Sequence, residues 1–164
     1  MSLDKRSLWE ELVESERKFF TARARFFQEP RRDEILKAAL DNPVERGTAL
    51  RVLLQLEPSV AQMMAAELVG QASVGHSDIR LVRDVLARID RPWLLSRIEG
   101  FAEALLKEGD YEDYRRLAEL YVHLGAHDAL RRLVERCRLH SSEDVREVAD
   151  DFAEVLNRIV DKRA

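Results

Sequence analysis

Only one cysteine, Cys137, occurs in the 164 residues, which excludes an intramolecular disulfide. The opening residues lack the charged and then continuously apolar form of a secretory signal, so a reducing cytoplasm is the expected compartment. No apolar run approaches the roughly 20 residues needed to span a bilayer, and no direct membrane contact is expected. Glycine (6) and proline (4) are scarce, and Asn-Gly and Asp-Gly pairs are absent. No stretch alternates Val, Ile, Thr and aromatic residues between turns, which leaves strands and hairpins without support. Catalytic signatures are missing as well: there is no G-x-S-x-G, no glycine-rich phosphate loop and no Cys/His arrangement. The chain therefore reads as a non-enzyme that needs no cofactor. Net positive charge is also lacking. With 27 Lys and Arg against 31 Asp and Glu the formal charge is −4, whereas nucleic-acid affinity rests on cations that neutralise phosphates.

What is present is 46% hydrophobic and 35% charged residues, the balance of long amphipathic helices with charged outer faces. The length suffices for one domain, 1–164, with a sizeable core. Residues 1–41 read as N-terminal helices. The first begins near Ser7, where Ser7 to Glu10 has the S-x-x-E form of a capping box, and runs to about Gln28. Leu8, Leu12, Phe19 and Phe26 form one row on it, with Trp9, Val13, Phe20 and Phe27 alongside. Pro30 ends it, and 32–40 forms a short helix with Ile35, Leu36, Ala39 and Leu40 inward.

Residues 42–140 read as three helix pairs. Asn42-Pro43-Val44-Glu45 starts the first, with Asn as cap, and Ala49, Val52, Leu53 and Leu56 face inward. Pro58 opens its second helix, which buries Val60, Met63, Met64 and Leu68 and ends at Gly70 before the loose stretch 70–75. Ser77 starts the second pair, with Ile79, Val82, Val85, Leu86 and Ile89 inward. After Asp90-Arg91-Pro92 come Trp93, Leu94, Ile98, Phe101, Ala102 and Leu105. Asp110 caps the third pair, with Tyr114, Leu117, Ala118, Tyr121 and Leu124 on its first helix and Leu130, Leu133, Val134 and Cys137 on its second. Residues 141–164 form a final capping helix, with Val145, Val148, Ala149, Phe152, Val155, Leu156 and Ile159 in one stripe and mostly acidic residues opposite.

Aligning the pairs sets Arg46-x-x-Ala49, Arg80-x-x-Arg83, Arg115-x-x-Ala118 and Arg146-x-x-Ala149 in register, the arginines 34, 35 and 31 residues apart. A small residue lets the next helix approach, and large ones fill the layer between pairs. On these residues the chain over 42–160 resembles a bacterial HEAT-like repeat protein. Arg83 departs from the pattern, since an Ala is expected there. Leu117 to Leu130 is also similar to the Leu-Gly…Ala signature of tetratricopeptide repeats, with a turn one residue short. The HEAT-like resemblance implies an all-α fold, an alpha-alpha superhelix or solenoid of about nine helices. It also implies binding of macromolecules along a curved surface lined by the second helices.

Arg131, Arg132, Arg136 and Arg138 avoid the Leu130, Leu133, Val134 and Cys137 stripe, and on that surface the resemblance places Arg131, Arg132 and Arg136 as contacts, joined by Arg97 of the preceding pair. Arginine suits such a role because its planar fork pairs bidentately with carboxylates. The bland alternative is a solvated face partly paired with Glu135. His123 and His127 stand four apart beside Asp128, but Gly125 breaks the helix between them, so they read as turn residues and no metal site is assigned. Cys137 reads as core. The expected function is a non-catalytic scaffold or adaptor that binds another protein. The alternatives are a nucleic-acid binder like the HEAT-like DNA glycosylases, which the net charge disfavours, and a regulatory or immunity-type subunit. The first helix, rich in phenylalanine and basic residues, packs on its own chain, carries a homodimer or partner contact, or binds nucleic acid through its cations and rings.

Overall fold

A computed structural model describes the backbone of residues 5–161 and the side chains of residues 7–158. Within them the chain is all-helical, without a strand. It divides into two compact units, Met1–Ala38 and Ala39–Ala164.

The first unit is dominated by α1 (Lys5–Phe27). That helix already includes Lys5, so Ser7 lies inside it instead of capping it. At the other end Arg32 donates to the Phe27 carbonyl at 2.7 Å and closes the last turn before Pro30. The two apolar rows of α1 are not buried: Leu8, Trp9, Leu12, Val13, Phe19 and Phe20 are all exposed. In α2 (Arg32–Asp41) Leu36 and Leu40 are buried as the spacing requires, while Ile35 is exposed.

The second unit contains α3 (Arg46–Leu53), α4 (Pro58–Met63), α5 (Ala65–Ala72), α6 (Ile79–Leu86), α7 (Arg91–Leu95), α8 (Ile98–Glu108), α9 (Tyr111–His123), α10 (His127–Arg138) and α11 (Glu143–Asp161). Helix α3 starts four residues after Asn42. The Asn42 side chain does accept from an N–H, that of Val44 at 3.0 Å, but residues 43–45 form a turn that leads into the helix. The second helices of the first two pairs are each broken. Met64 interrupts one between α4 and α5, which turns Met64 inward and leaves Met63 exposed, contrary to the expectation that both face the core. Helix α5 also continues past Gly70 to Ala72. The other breaks at Ser96 and Arg97, between α7 and α8.

The third pair matches its sequence pattern most closely. Asp110 accepts from the N–H groups of Glu112 and Asp113, and Asp113 accepts from Asp110 N–H, a complete capping box. Gly109 is required there, since a Cβ would lie 2.7 Å from the Leu105 carbonyl oxygen. Gly125 ends α9 with φ +64°, a conformation L residues rarely adopt. Tyr114, Leu117, Ala118, Tyr121, Leu130, Leu133, Val134 and Cys137 are all buried. In α11 Val145, Val148, Ala149 and Phe152 are buried, Val155 and Leu156 are half-buried, and the Ile159 side chain lies outside the described residues.

Packing runs along and between the pairs: α3 on α6, α9 on α11, α5 on α8, and α10 on both α9 and α11. Polar contacts between side chains and residues 32 to 36 positions away follow the same course. Arg88 donates to the Leu53, Leu54 and Leu56 carbonyls, Arg91 to Gly125, Arg83 to Glu119, and Arg115 to Asp151. Arg46 and Arg146 share one task, each donating to carbonyls at the end of the preceding helix, Leu40 for the former and His140 and Ser141 for the latter. Arg83 is accommodated where a small residue is expected because it reaches across to α9, bonding Glu119 at 2.8 Å and the Arg116 carbonyl at 3.3 Å.

Candidate functional site

The apolar stripe of α10 faces the core and thereby directs Arg131, Arg132 and Arg136 away from it. Arg132 and Arg136 are one helical turn apart, and α8 presents Glu99 and Glu103 at the same spacing. The four residues form two parallel bidentate pairs. Arg132 Nε lies 2.8 Å from one Glu99 carboxylate oxygen and a terminal nitrogen 2.6 Å from the other. Arg136 meets Glu103 at 2.8 and 3.4 Å. The hydrogen bond and charge of Arg136 hold the Glu103 carboxyl below its usual range, and both guanidinium groups are raised by their carboxylate partners. Beneath them a small cleft of about 130 Å³ is floored by Leu106, Tyr121 and Leu133. Burial and the nearby Glu99 push the Tyr121 hydroxyl well above its ordinary value, so it stays protonated and uncharged.

A larger cleft, about 360 Å³, opens at the start of α10. Arg91 and Leu95 of α7 form one side, the Gly125 to Ala129 segment forms the floor, and Arg131 and Arg132 form the other side. Ala126 stands at the cap position, so no side chain closes the first turn of α10. The partial positive charge of that turn is offset by the Asp128 carboxylate within it, which pairs with Arg131. Arg131 is held by Asp128 at 2.9 Å, and Arg91 donates to the Gly125 carbonyl at 2.9 Å. Both side chains thus anchor in the wall with part of their fork turned to solvent.

Among the four arginines expected to act together, the structure brings together Arg131 and Arg132 in the larger cleft and Arg132 and Arg136 in the smaller one. Arg97 lines neither. It stacks on Trp93, 4.7 Å from the ring centroid, and bonds Ser96. The carboxylates that pair with the α10 arginines are Glu99, Glu103 and Asp128, and not Glu135 as the sequence suggests. Arg91, Glu99 and Glu103 are absent from the sequence-based site. A signal for the carboxylates was available: Glu99-x-x-x-Glu103 precedes Arg132-x-x-x-Arg136 by 33 residues, close to the spacing of the aligned arginines.

His123 faces Asp84 at 3.8 Å while His127 lines the larger cleft, so the two imidazoles do not converge. Among the described residues no group of three or more His, Cys, Asp or Glu could hold a metal ion. Cys137 is buried, and burial pushes its thiol up to about 11. Within the described residues no helix is long and apolar enough to cross a membrane.

Comparison with protein-family models, with curated proteins and with solved structures gives no match.

Proposed function

We propose that this protein is a non-catalytic helical-repeat scaffold of HEAT-like type that binds an acidic segment of a partner protein in the cleft between α7 and the start of α10. The repeat reading is supported by the recurrence of polar contacts within the chain at separations of 32 to 36 residues, close to the arginine spacing in the sequence. The binding reading rests on one observation: Arg91 and Arg131, neither held bidentately by a carboxylate, line a cleft of about 360 Å³ at a helix start that no side chain caps, beside Arg132, which is already paired with Glu99. Carboxylates of an extended peptide suit that arrangement, because guanidinium forks and helix N-terminal amides both favour anions. Arg136 is a structural residue in this account, engaged with Glu103, and Arg97 belongs to the Trp93 surface.

The test is affinity capture with the wild-type chain and with Arg91→Glu/Arg131→Glu, a variant that leaves the Arg132–Glu99 pair in place. A partner whose contacting segment is acidic should be recovered by the wild type and lost with the variant while the thermal transition is retained. Equal recovery by both proteins would remove the cleft from the binding surface.

A further inference from the structure

The exposed face of α1 requires a separate explanation, independent of the cleft. Leu8, Trp9, Leu12, Val13, Phe19 and Phe20 are each 45 to 64% exposed. Together they present on the order of 600 Å² of apolar surface, at the upper end of what monomers usually leave open. Leu12, Val13, Phe19 and Phe20 supply roughly 400 Å² of it, so two α1 helices overlapping at these residues would bury on the order of 800 Å² from them, the low end of interface sizes.

The charges of α1 indicate the occupant. After Lys5 and Arg6, Glu10, Glu11, Glu14 and Glu16 fill its first half, while Arg17, Lys18, Arg23 and Arg25 fill its second. Two copies side by side and parallel would set like against like. Antiparallel, Glu14 and Glu16 meet Arg25 and Arg23. A bilayer surface fits less well, because interfacial helices carry cations along the whole polar face, whereas in α1 four glutamates separate Lys5 and Arg6 from the cations of its second half.

Two charges lie within the apolar face itself. At 100° per residue, Glu16 and Arg23 fall midway between the Leu8, Leu12, Phe19 row and the Trp9, Val13, Phe20 row. Glu14 takes up Arg17 and Lys18, whereas no ion pair within the described residues takes up Glu16. Arg23 lies over the Phe19 and Phe20 rings, 5.4 and 4.7 Å from their centroids, with its guanidinium folded onto the face.

We propose that α1 is a homodimerisation helix that pairs antiparallel with α1 of a second copy, about a two-fold axis between Phe19 and Phe20. That register sets Glu16 opposite Arg23 of the second copy, and by symmetry the reverse, so the two mid-face charges neutralise each other twice. It also sets Phe19 against Phe20, Leu12 against Phe27 and Val13 against Phe26 of the second copy.

Sedimentation velocity over a concentration series tests the pairing. The 19.0 kDa chain should sediment as a dimer. Glu16→Arg and Arg23→Glu should each raise the dimer dissociation constant by about tenfold or more, because each places two like pairs in the seam. The double variant Glu16→Arg/Arg23→Glu should return to within about threefold of wild type, since it restores both pairs with reversed sign. Residues 16 and 23 are two helical turns apart on one helix and do not meet within a chain, so recovery reports contact between chains. Circular dichroism of each variant confirms that α1 stays helical. A wild-type monomer at the highest soluble concentration would overturn the proposal, as would one that co-sediments with anionic vesicles. A dimer indifferent to both single reversals, or a double variant as weak as either single, would overturn it equally.

Discussion

Individual residues hold the unit 39–164 by closing backbone and charge where the sequence puts nothing redundant. Asp110 alone accepts from two orphan N–H groups at the start of α9, so Asp110→Ala should lower stability by about 1 kcal/mol, read as a fall in the denaturant midpoint at unchanged slope. Glu119 sits between Arg83 and Arg116. Burial draws its carboxyl upward, but the hydrogen bonds from Arg83 and Arg116 outweigh this and hold it below its ordinary value. A lowered folded-state value means that Glu119 stabilises the fold above the unfolded carboxylate pKa of about 4.3 and loses that contribution as pH falls through the folded value. The melting temperatures of wild type and Glu119→Gln should therefore differ at neutral pH and converge in acid; a constant gap would count against the ion triad. Cys137, buried and with its thiol raised to about 11, should react with a thiol reagent at pH 8 only as fast as the protein unfolds.

Elements were legible in the sequence wherever periodicity and a cap agreed. Helices α9 and α10 carry both signals, Asp110 before and Gly125 between, and their apolar residues are buried as the spacing requires. Periodicity alone could not reveal the break at Met64, because Met63 and Met64 are equally apolar and only the tertiary path decides which turns inward. Nor could it tell that the apolar face of α1 stays uncovered, since a face's existence does not name its neighbour. The site was half legible for the same reason. Outward direction of Arg131, Arg132 and Arg136 follows from the α10 stripe, but the Glu99 and Glu103 partners lie 33 residues earlier and emerge only once α8 and α10 face each other. Gly125 links element and site: its φ is +64°, and a Cβ would stand 3.2 Å from the Arg91 guanidinium. Gly125→Ala should cost about 1–2 kcal/mol through the left-handed conformation alone, and should also disturb the wall of the larger cleft. Chemical denaturation measures the first effect, and the Arg91 side-chain resonance reports the second.

Across the unit 39–164, polar contacts spanning 32 to 36 residues tie helices that are distant in sequence, and their energies are small one by one. The Arg132–Glu99 pair is bidentate but exposed, so a double-mutant cycle with Arg132→Ala and Glu99→Ala should give a coupling of roughly 0.5–1 kcal/mol and not more. Zero coupling would mean that α8 and α10 are held by apolar packing alone. The same neutralisation narrows the binding surface, because an arginine held bidentately by a carboxylate of its own chain is a poor first contact for a partner. What remains for binding is the mouth of the larger cleft, with Arg91, Arg131 and the start of α10. The most direct measurement is an amide chemical-shift titration of the isotopically labelled protein with a short polyglutamate peptide at low salt. The account predicts saturable shifts at Asp128, Ala129 and Arg131 that vanish in Arg91→Glu/Arg131→Glu. An absence of saturable shifts at these amides, or shifts confined to the basic half of α1, would contradict it.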